Sequence, residues 1–359
     1  MELVHKYDVW TNQTVEHLEM KRVLLIVNPN SGGRKGLNIL DRVKPLLEKG
    51  GCTVKVMYTE FAGHAKQIAE TEVLDDIDVF GSIGGDGTVH ETINGFMNRK
   101  DYSTVKDKVS IAIFPGGTGN TLAYDLSVNT PEKAVEMLLA GKASMIDCSK
   151  VEDASGKIAP IYSINIIGYG LPAKVLKTAN DCRCCGGAQY KLAAYSSLIG
   201  NQSYDVDVEM TMADDTVQKV SGRYVMIQAQ CTVHMGDRMP FCPKSKLDNG
   251  LMDLVMIKKT GRLKLVKIMT DAEHAGHVAH EDKVEYHQVK SYSLTPKPGS
   301  KMVGPDSVNI DGELVGVSPF KATVMPRAVR MVAGLKNKVA GENTDIVPIS
   351  GPDEEDFKN

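Results

Sequence analysis

Hydrophobic residues in the first part of the chain alternate between two kinds of segment. Short apolar or alternating runs predict β-strands, and they cover 21–27, 53–58, 77–82 and 109–114. Between these runs, apolar residues recur at helical spacing over 37–47, 64–73, 88–97 and 131–140, and another helical pattern starts at Thr121. This alternation predicts an α/β fold with a doubly wound parallel sheet, whose ligands bind beyond the carboxyl ends of the strands.

The pattern changes near Met145, and strand-like runs dominate after it. They lie at 161–167, 204–212, 223–230, 252–258, 284–294, 307–310 and 320–325, and one amphipathic helix is predicted at 263–272. The chain therefore divides into a leader at 1–19, an α/β nucleotide-binding domain at 20–145, a largely antiparallel β-rich domain at 146–336, and an acidic, disordered tail at 337–359.

Composition and charge narrow the class of protein. Hydrophobic residues make up 42% and charged residues 24% of the chain, which is typical of a globular protein. The net charge of -3 argues against nucleic-acid binding. Seven scattered cysteines, an odd number, favour a reducing compartment, so we expect a cytoplasmic protein. No apolar run reaches the ~18 residues of a membrane-spanning helix, so membrane contact is expected to be peripheral.

Two glycine-rich turns carry the candidate chemistry. The first is Gly84-Gly85-Asp86-Gly87-Thr88 and the second is PGGTGN at 115–120, and each follows a predicted strand and precedes a helical pattern. Glycine lets backbone amides approach a phosphate closely, and a helix N-terminus behind the turn adds partial positive charge. Neither turn matches the Walker A or dinucleotide-binding pattern. They predict a phosphate site of another type, with the carboxylate of Asp86 beside it.

Several further motifs surround these turns in a fixed order. They are VNP and SGG within 27–33, YTE and HA within 58–65, GGDGTVHETINGF at 84–96, FPGGTGNTLA at 114–123, LDNG and MD within 247–253, and IDGE at 310–313. With these motifs the chain resembles the diacylglycerol kinase catalytic domain family, which includes sphingosine kinases, ceramide kinases and bacterial lipid kinases. The resemblance runs from about Lys21 to Gly334.

The resemblance implies an ATP-dependent lipid kinase that uses Mg2+. Asp86 would be the general base that takes the proton from a lipid hydroxyl. The ATP would be held by Asn28, Thr59, Gly84, Gly85, Gly87, Thr88, Gly116, Gly117, Thr118, Gly119, Asn120, Asp311, Gly312 and Glu313. Asp311 would also hold the magnesium ion. Glu91, one helical turn beyond Thr88, is either a further contact of this site or an ordinary solvated helix residue.

The resemblance places the lipid substrate in the second domain, around 163–177 and 186–198. Sphingosine kinases carry acidic residues where this chain has Lys174 and Leu176, and an expected arginine is Gln189 here, although Arg183 matches an upstream arginine. The expected acceptor is sphingosine, ceramide or diacylglycerol, met at a membrane surface. The motifs leave open which of these lipids is used, and they leave the oligomeric state open as well.

Two other functions stay open at this point. A kinase of a soluble metabolite, similar to NAD kinases, would share the GGDG turn, but the second glycine turn and the late Asp-Gly-Glu argue against it. The third possibility is a catalytically silent nucleotide-binding or lipid-binding protein. The intact Asp86 and the two complete turns argue against that possibility.

Three other clusters give weaker signals. The run Cys182–Cys185 favours free thiols on a loop over a zinc site. The histidines at 274, 277 and 280 favour a solvated loop over a metal site. Lysines and an arginine alternate with apolar residues over 258–268. That pattern predicts either a core-packed helix with a solvated basic face or a helix that rests on an anionic bilayer.

Overall fold

The computed structural model describes residues 16–17, 19, 21–117, 119–181, 193, 196–198, 200–236, 238–299 and 308–334. Most of the predicted leader and the whole predicted tail lie outside these residues. Thr118, Arg183, Gln189 and the Cys182–Cys185 run also lie outside them. The boundaries between leader, domains and tail stay a prediction.

A parallel sheet forms the N-terminal part of the molecule, as the sequence predicts. A short strand, β1 (Glu16–His17), precedes it and pairs with Lys142–Ala143. The sheet contains β2 (Arg22–Val27), β3 (Thr53–Tyr58), β4 (Val79–Gly84) and β5 (Ser110–Pro115). These strands pair in the order β3-β2-β4-β5, all in parallel. β4 and β5 are buried along their whole length, which explains their continuous apolar sequences.

Helices follow the parallel strands along the chain. They are α1 (Ser31–Arg34), α2 (Gly36–Lys49), α3 (His64–Thr71), α4 (Asp86–Met97), α5 (Tyr102–Val105), α6 (Thr121–Asp125) and α7 (Pro131–Leu139). α2 packs against α7, and α3 packs against α4. α4 begins two residues before the predicted start at Thr88, so Asp86 lies in its first turn.

Antiparallel strands form the second part of the molecule. They are β6 (Lys142–Asp153), β7 (Ile161–Ser163), β8 (Ile166–Gly170), β9 (Tyr204–Met212), β10 (Val217–Gln230), β11 (Met252–Lys258), β12 (Val284–Pro296), β13 (Val308–Ile310), β14 (Glu313–Val315) and β15 (Phe320–Val332). Helices α8 (Leu171–Asp181) and α9 (Arg262–Asp271) accompany them. No helix of the residues described here is long and apolar enough to cross a membrane.

One predicted strand, at 161–167, is divided into β7 and β8. The backbone amides of Ile164, Asn165 and Ile166 donate to the carboxylate of Asp311. Ile164 and Asn165 therefore lie between the two strands, since their amides serve the carboxylate and not a neighbouring strand. The hydrophobic pattern gave no sign of this break.

The long strands β6 and β15 connect the two parts. β15 pairs with β6 from Phe320 opposite Asp153 to Val332 opposite Ala143, and its far end pairs in parallel with β5 through Met331. The predicted strand at 320–325 therefore continues to Val332, past a register shift between Met325 and Val329. Residues near the end of β15 belong to the same hydrophobic cluster as β2 and β4. The last described strand, β15, thus contributes side chains to the core of the N-terminal parallel sheet.

Candidate active site

Three loops at the carboxyl ends of β2, β4 and β5 meet with backbone against backbone. The amide of Gly116 donates to the carbonyl oxygen of Gly84 at 2.8 Å. A Cβ on Gly117 would lie 2.6 Å from the Cα of Gly85, and one on Gly32 would lie 2.0 Å from the carbonyl oxygen of Gly116. No side chain fits at these approaches, so glycine is required there. The two turns that the sequence assigned to one site do lie together.

Asp86 lies where the first turn meets the second. Its Oδ2 accepts a hydrogen bond from the backbone amide of Asn120 at 3.0 Å. Burial raises the pKa of Asp86, the amide hydrogen bonds from Asn120 and Thr121 act to lower it, and the charge of Asp311 adds to the rise. A Cβ on Gly119 would lie 2.6 Å from Oδ2. The second turn therefore fixes the carboxylate, and the raised pKa suits a general base.

Two asparagines hold the shape of the loops. Asn120 has a left-handed backbone (φ 52°), and its side-chain oxygen accepts from the amide of Gly117 at 3.0 Å while its amide group donates to the Gly117 carbonyl at 2.7 Å. Asn28 donates to Oγ1 of Thr88 at 3.2 Å and accepts from the amide of Asn30 at 3.0 Å. The side chain of Asn120 is thus engaged within its own turn.

An open cavity of about 430 Å³ lies in front of the loops. Its lining includes six of the residues predicted to bind nucleotide: Asn28, Thr59, Gly85, Gly87, Thr88 and Glu313. The other predicted nucleotide-binding residues with described positions do not line the cavity. They lie in the two glycine turns or in the turn between β13 and β14: Gly84, Gly116, Gly117, Gly119, Asn120, Asp311 and Gly312. A cavity of this size accommodates a ligand as large as a nucleotide.

Phe61 also lines this cavity, and sequence reasoning missed it. Its side chain is 57% exposed, and its ring stacks on His64 with 4.5 Å between the centroids. The sequence signal that could have identified it is an aromatic residue in the loop between the YTE and HA motifs. Such a ring can stack with a flat ligand group.

Glu91 has a contact that neither sequence alternative included. Its carboxylate accepts hydrogen bonds from the backbone amides of Gly63 at 2.8 Å and Ala65 at 3.2 Å. These amides lie at the start of α3, whose own N-cap residue, Gly63, has no side chain to accept them. Glu91 therefore caps α3 from the neighbouring helix α4, and it borders the cavity at the same time.

Asp311 is buried, and both of its carboxylate oxygens are hydrogen-bonded. Oδ1 accepts from the hydroxyl of Ser163 at 2.7 Å and from the amides of Asn165 and Ile166, and Oδ2 lies 3.2 Å from Nδ1 of His90. Burial acts to raise the pKa of Asp311, but the hydrogen bond and charge of His90, with the bonds from Ser163 and Ile166, outweigh it and lower the pKa. These contacts make Asp311 the anchor of the β13–β14 turn.

The anchored turn brings Glu313 to the cavity. Oε1 of Glu313 lies 3.4 Å from the position of a Cβ on Gly87. Among the residues with described positions, no group of three or more His, Cys, Asp or Glu side chains is arranged to hold a metal. Mg2+ in phosphoryl-transfer sites is bound by one or two carboxylates together with substrate phosphates. Glu313 fits that donor set. Both oxygens of Asp311, the predicted magnesium ligand, already accept hydrogen bonds, and its role as a ligand stays a prediction.

An apolar cluster lies beneath α8 and α9, in the region where the lipid is expected. Its members are Leu171, Leu198, Val225, Met226, Phe241, Cys242, Val255, Ile257, Leu265, Ile268, Ala272 and Val284. Leu176 is buried in α8, and Nζ of Lys174 lies 2.8 Å from the position of a Cβ on Gly200. α8 therefore presents a cation where sphingosine kinases carry an acidic residue.

The prediction of a solvated loop is wrong for His277. Its ring is buried and stacks on Phe241 with 4.6 Å between the centroids, and Nε2 lies 2.9 Å from the Phe241 carbonyl oxygen. Burial lowers the pKa of His277 to about 4. A neutral histidine packed on the edge of the apolar cluster explains this position, and it is part of the core.

Comparison with known proteins covers both parts of the fold. The diacylglycerol kinase catalytic domain matches residues 22–151, and the YegS C-terminal NAD kinase beta sandwich-like domain matches residues 165–333. The chain belongs to the diacylglycerol kinase catalytic domain family, and it is a lipid kinase.

Individual relatives are similar along most of their length. Sphingosine kinase 1 of Rattus norvegicus is 24% identical over 370 residues, which cover 91% of this chain and 94% of that protein. A diacylglycerol kinase of Staphylococcus saprophyticus is 28% identical over 302 residues, which cover 83% and 91%. The crystal structure of a diacylglycerol kinase from Bacillus anthracis is similar with a TM-score of 0.68 and 21% identity, over 88% of this chain and 98% of that one. This last likeness concerns the fold alone.

Proposed function

We propose that the protein transfers the γ-phosphate of ATP to the primary hydroxyl of a sphingoid lipid, sphingosine or ceramide, or of diacylglycerol. The observation that carries the proposal is the position of Asp86, which the second glycine turn holds between Gly85 and Gly87, two residues that line a nucleotide-sized cavity. The range of acceptors is supported by the relatives, since some are named sphingosine kinases and others diacylglycerol kinases.

The glycine turns would bind the ATP phosphates. Their backbone amides lie at the N-terminal ends of α4 and α6, where partial positive charge favours phosphate. Phe61 is placed to stack with the base, and Thr59 lines the same wall. Mg2+, held by Glu313 together with the ATP phosphates, would supply positive charge that offsets the charge on the transferred phosphoryl group.

Asp86 would accept the proton of the lipid hydroxyl as its oxygen attacks the γ-phosphorus. One oxygen–phosphorus bond forms, the bond to the bridging oxygen of the β-phosphate breaks, and ADP leaves. The raised pKa of Asp86 brings the carboxylate closer to the range of a working base. Positioning and electrostatics supply most of the rate in this class of reaction.

The acceptor would enter from the second part of the molecule. The buried apolar cluster under α8 and α9, next to α8 with its cation at Lys174, would supply apolar side chains against which an acyl chain packs. We place the reaction at a membrane surface on the cytoplasmic side, since the lipid resides in a bilayer and the scattered cysteines favour a reducing compartment.

The first prediction concerns Asp86→Asn. An amide of the same shape cannot take the proton, so we expect lipid phosphorylation to fall by about 10²- to 10⁴-fold, while ATP affinity changes less than threefold. Radiolabelled ATP in a turnover assay and nucleotide-binding fluorescence measure the two quantities. Asp75→Asn, at an exposed position outside the cavity, is the matched control. Unchanged turnover in Asp86→Asn would remove the base from the mechanism.

A panel of acceptors identifies the lipid. The assay is run with sphingosine, ceramide, diacylglycerol and monoacylglycerol in mixed micelles, with NAD as a soluble alternative. Phosphorylation of one lipid class that depends on Asp86 supports the proposal. Phosphorylation of NAD alone would make the protein a soluble-metabolite kinase, and no turnover on any acceptor would indicate a binding protein.

A further inference from the structure

The outer face of α9 carries exposed apolar side chains. Leu263 is 89% exposed and Val266 is 42% exposed, whereas Leu265 and Ile268 on the same helix are buried. Leu263 and Val266 are three residues apart, so they lie on one side of the helix, one turn from each other. At this exposure the side chain of Leu263 buries almost no apolar area against the protein, so it contributes little to the stability of the fold.

Positive charge surrounds the same end of the helix. Arg262 is the first residue of α9, and Nζ of Lys259 donates to the carbonyl oxygen of Asn201 at 2.7 Å. In the part of the chain with a described structure, no carboxylate forms an ion pair with Lys259 or Arg262. Lys264 and Lys267, by contrast, pair with Asp282 at 3.4 Å and Asp271 at 3.1 Å.

The positive charge of Arg262 is unfavourable at the N-terminus of α9. A helix N-terminus carries partial positive charge and favours acidic residues, but the first turn of α9 has none and Gly261 provides no side-chain cap. A nearby anion would reverse this disadvantage, because it would pair with Arg262 and with the exposed amides together. Cations beside protruding apolar groups are the combination that binds an anionic lipid surface.

We propose that the N-terminal turn of α9 docks on an anionic lipid bilayer. Leu263 and Val266 enter the interface, and Lys259 and Arg262 contact the lipid phosphates. This inference rests on the proposed function, because docking on a bilayer would bring the kinase to its lipid substrate. Asp271, the acidic partner of Lys267, is the last residue of α9, so the helix would meet the membrane with its first turn foremost.

Docking in this orientation would bring the lipid region to the membrane. The buried face of α9 packs into the apolar cluster with Leu171 and Phe241. The loop before α9 is tied to the other side of that cluster, because Nδ2 of Asn201 donates to the carbonyl of Thr260 at 2.9 Å. A bilayer against the outer face would place lipid within one helix diameter of the cluster, which is about 10 Å.

Vesicle sedimentation without ATP tests the docking surface. Phosphatidylcholine vesicles with and without about 30% phosphatidylserine are compared. We expect the wild-type chain to bind the anionic vesicles and to lose most of that binding as salt rises to about 0.5 M. The double variant Leu263→Asn, Val266→Asn should bind at least about tenfold more weakly because the inserted apolar area is lost. Lys259→Gln, Arg262→Gln should lose the preference for phosphatidylserine.

Val73→Asn is the matched control. Val73 is 68% exposed but is flanked by Glu72 and Asp75, so its loss should leave vesicle binding unchanged. The folding of every variant is checked by urea unfolding, where an unchanged midpoint shows that the variant folds. Asp86→Asn should bind vesicles like the wild type, so a failure of the kinase proposal stays distinguishable from a failure of docking.

Three outcomes would overturn the docking proposal. The first is that the wild-type chain does not bind anionic vesicles, and the second is that the Leu263 and Val266 variant binds them as well as the wild type. The third is that sedimentation equilibrium shows a dimer that the same variant converts to a monomer. That result would assign the patch to a second copy of the chain.

Discussion

The absence of a side chain at Gly119 leaves room for the carboxylate of Asp86. A Cβ on Gly119 would lie 2.6 Å from Oδ2 of Asp86, and a Cβ on Gly117 would lie 2.6 Å from the Cα of Gly85. The contact at Gly119 is with the carboxylate of Asp86, the proposed base, whereas the contact at Gly117 is with backbone. A single methyl group at position 119 is therefore expected to affect the chemistry first.

The prediction for Gly119→Ala follows from this contact. The added methyl must displace the Asp86 carboxylate, so we expect kcat to fall about ten- to a hundredfold, with a loss of about 1–3 kcal/mol in the free energy of unfolding from overpacking. Turnover assays and urea unfolding measure the two effects. Gly236→Ala is the control, because nothing lies within 4 Å of its added Cβ. Wild-type turnover in Gly119→Ala would contradict the placement of Asp86.

Helix α4 connects the candidate site to three other elements. Asp86 lies at its start, Glu91 caps α3, and His90 contacts Asp311 above the cavity. Asn94 exchanges two hydrogen bonds of 2.8 Å with the backbone of Tyr162 in β7. One short segment thus connects Asp86, the proposed base, with the turn that carries Glu313.

The capping role of Glu91 can be separated from a role in nucleotide binding. Glu91→Ala leaves two amides of α3 without an acceptor, so we expect the free energy of unfolding to fall by about 1 kcal/mol, within the range of lost helix caps. Glu70→Ala, at an exposed position on α3, is the control and should have little effect. A raised KM for ATP with unchanged stability would instead identify Glu91 as a nucleotide contact.

At the scale of the whole molecule, the buried carboxyl groups of Asp147 and Asp253, like that of Asp86, resist ionisation. Burial raises the pKa of Asp147 and of Asp253 to about 6, although each accepts hydrogen bonds. Asp253 accepts from the hydroxyl of Tyr286 at 2.5 Å and from Gln288 at 2.9 Å. A folded-state pKa above the unfolded value of 3.8 means that the folded state holds the proton more tightly.

This linkage predicts the pH dependence of stability. The stabilising contribution of each raised group is complete below pH 3.8 and is lost as pH rises through about 6. In that window one such group lowers the free energy of unfolding by up to about 1.4 kcal/mol per pH unit. Asp253→Asn should flatten the slope, and Asp75→Asn should not. Urea titrations across the window measure it, and identical slopes in Asp253→Asn and wild type would contradict the prediction.

The sequence was sufficient to predict the structure where a local pattern of residues is compatible with a single arrangement. Two glycine turns on consecutive strand–helix units of a parallel sheet must lie side by side, because adjacent strands end at the same edge. The strands 204–212 and 252–258 were predicted with the bounds that the structure gives. The extension of β15 was missed because Pro326 and the left-handed Arg327 (φ 52°) mark an apparent end, whereas the structure passes them with a register shift.

By itself, then, the sequence determined the α/β and β-rich organisation, the two adjacent glycine turns and the position of Asp86 in the first of them, since these depend on neighbours along the chain. Only the tertiary structure decided the roles of Asp311, Glu91 and His277. Their hydrogen-bond partners lie more than 25 residues away in sequence, at 163–166, 63–65 and 241. Contacts at such separations depend on how elements pack, and no periodicity along the chain records them.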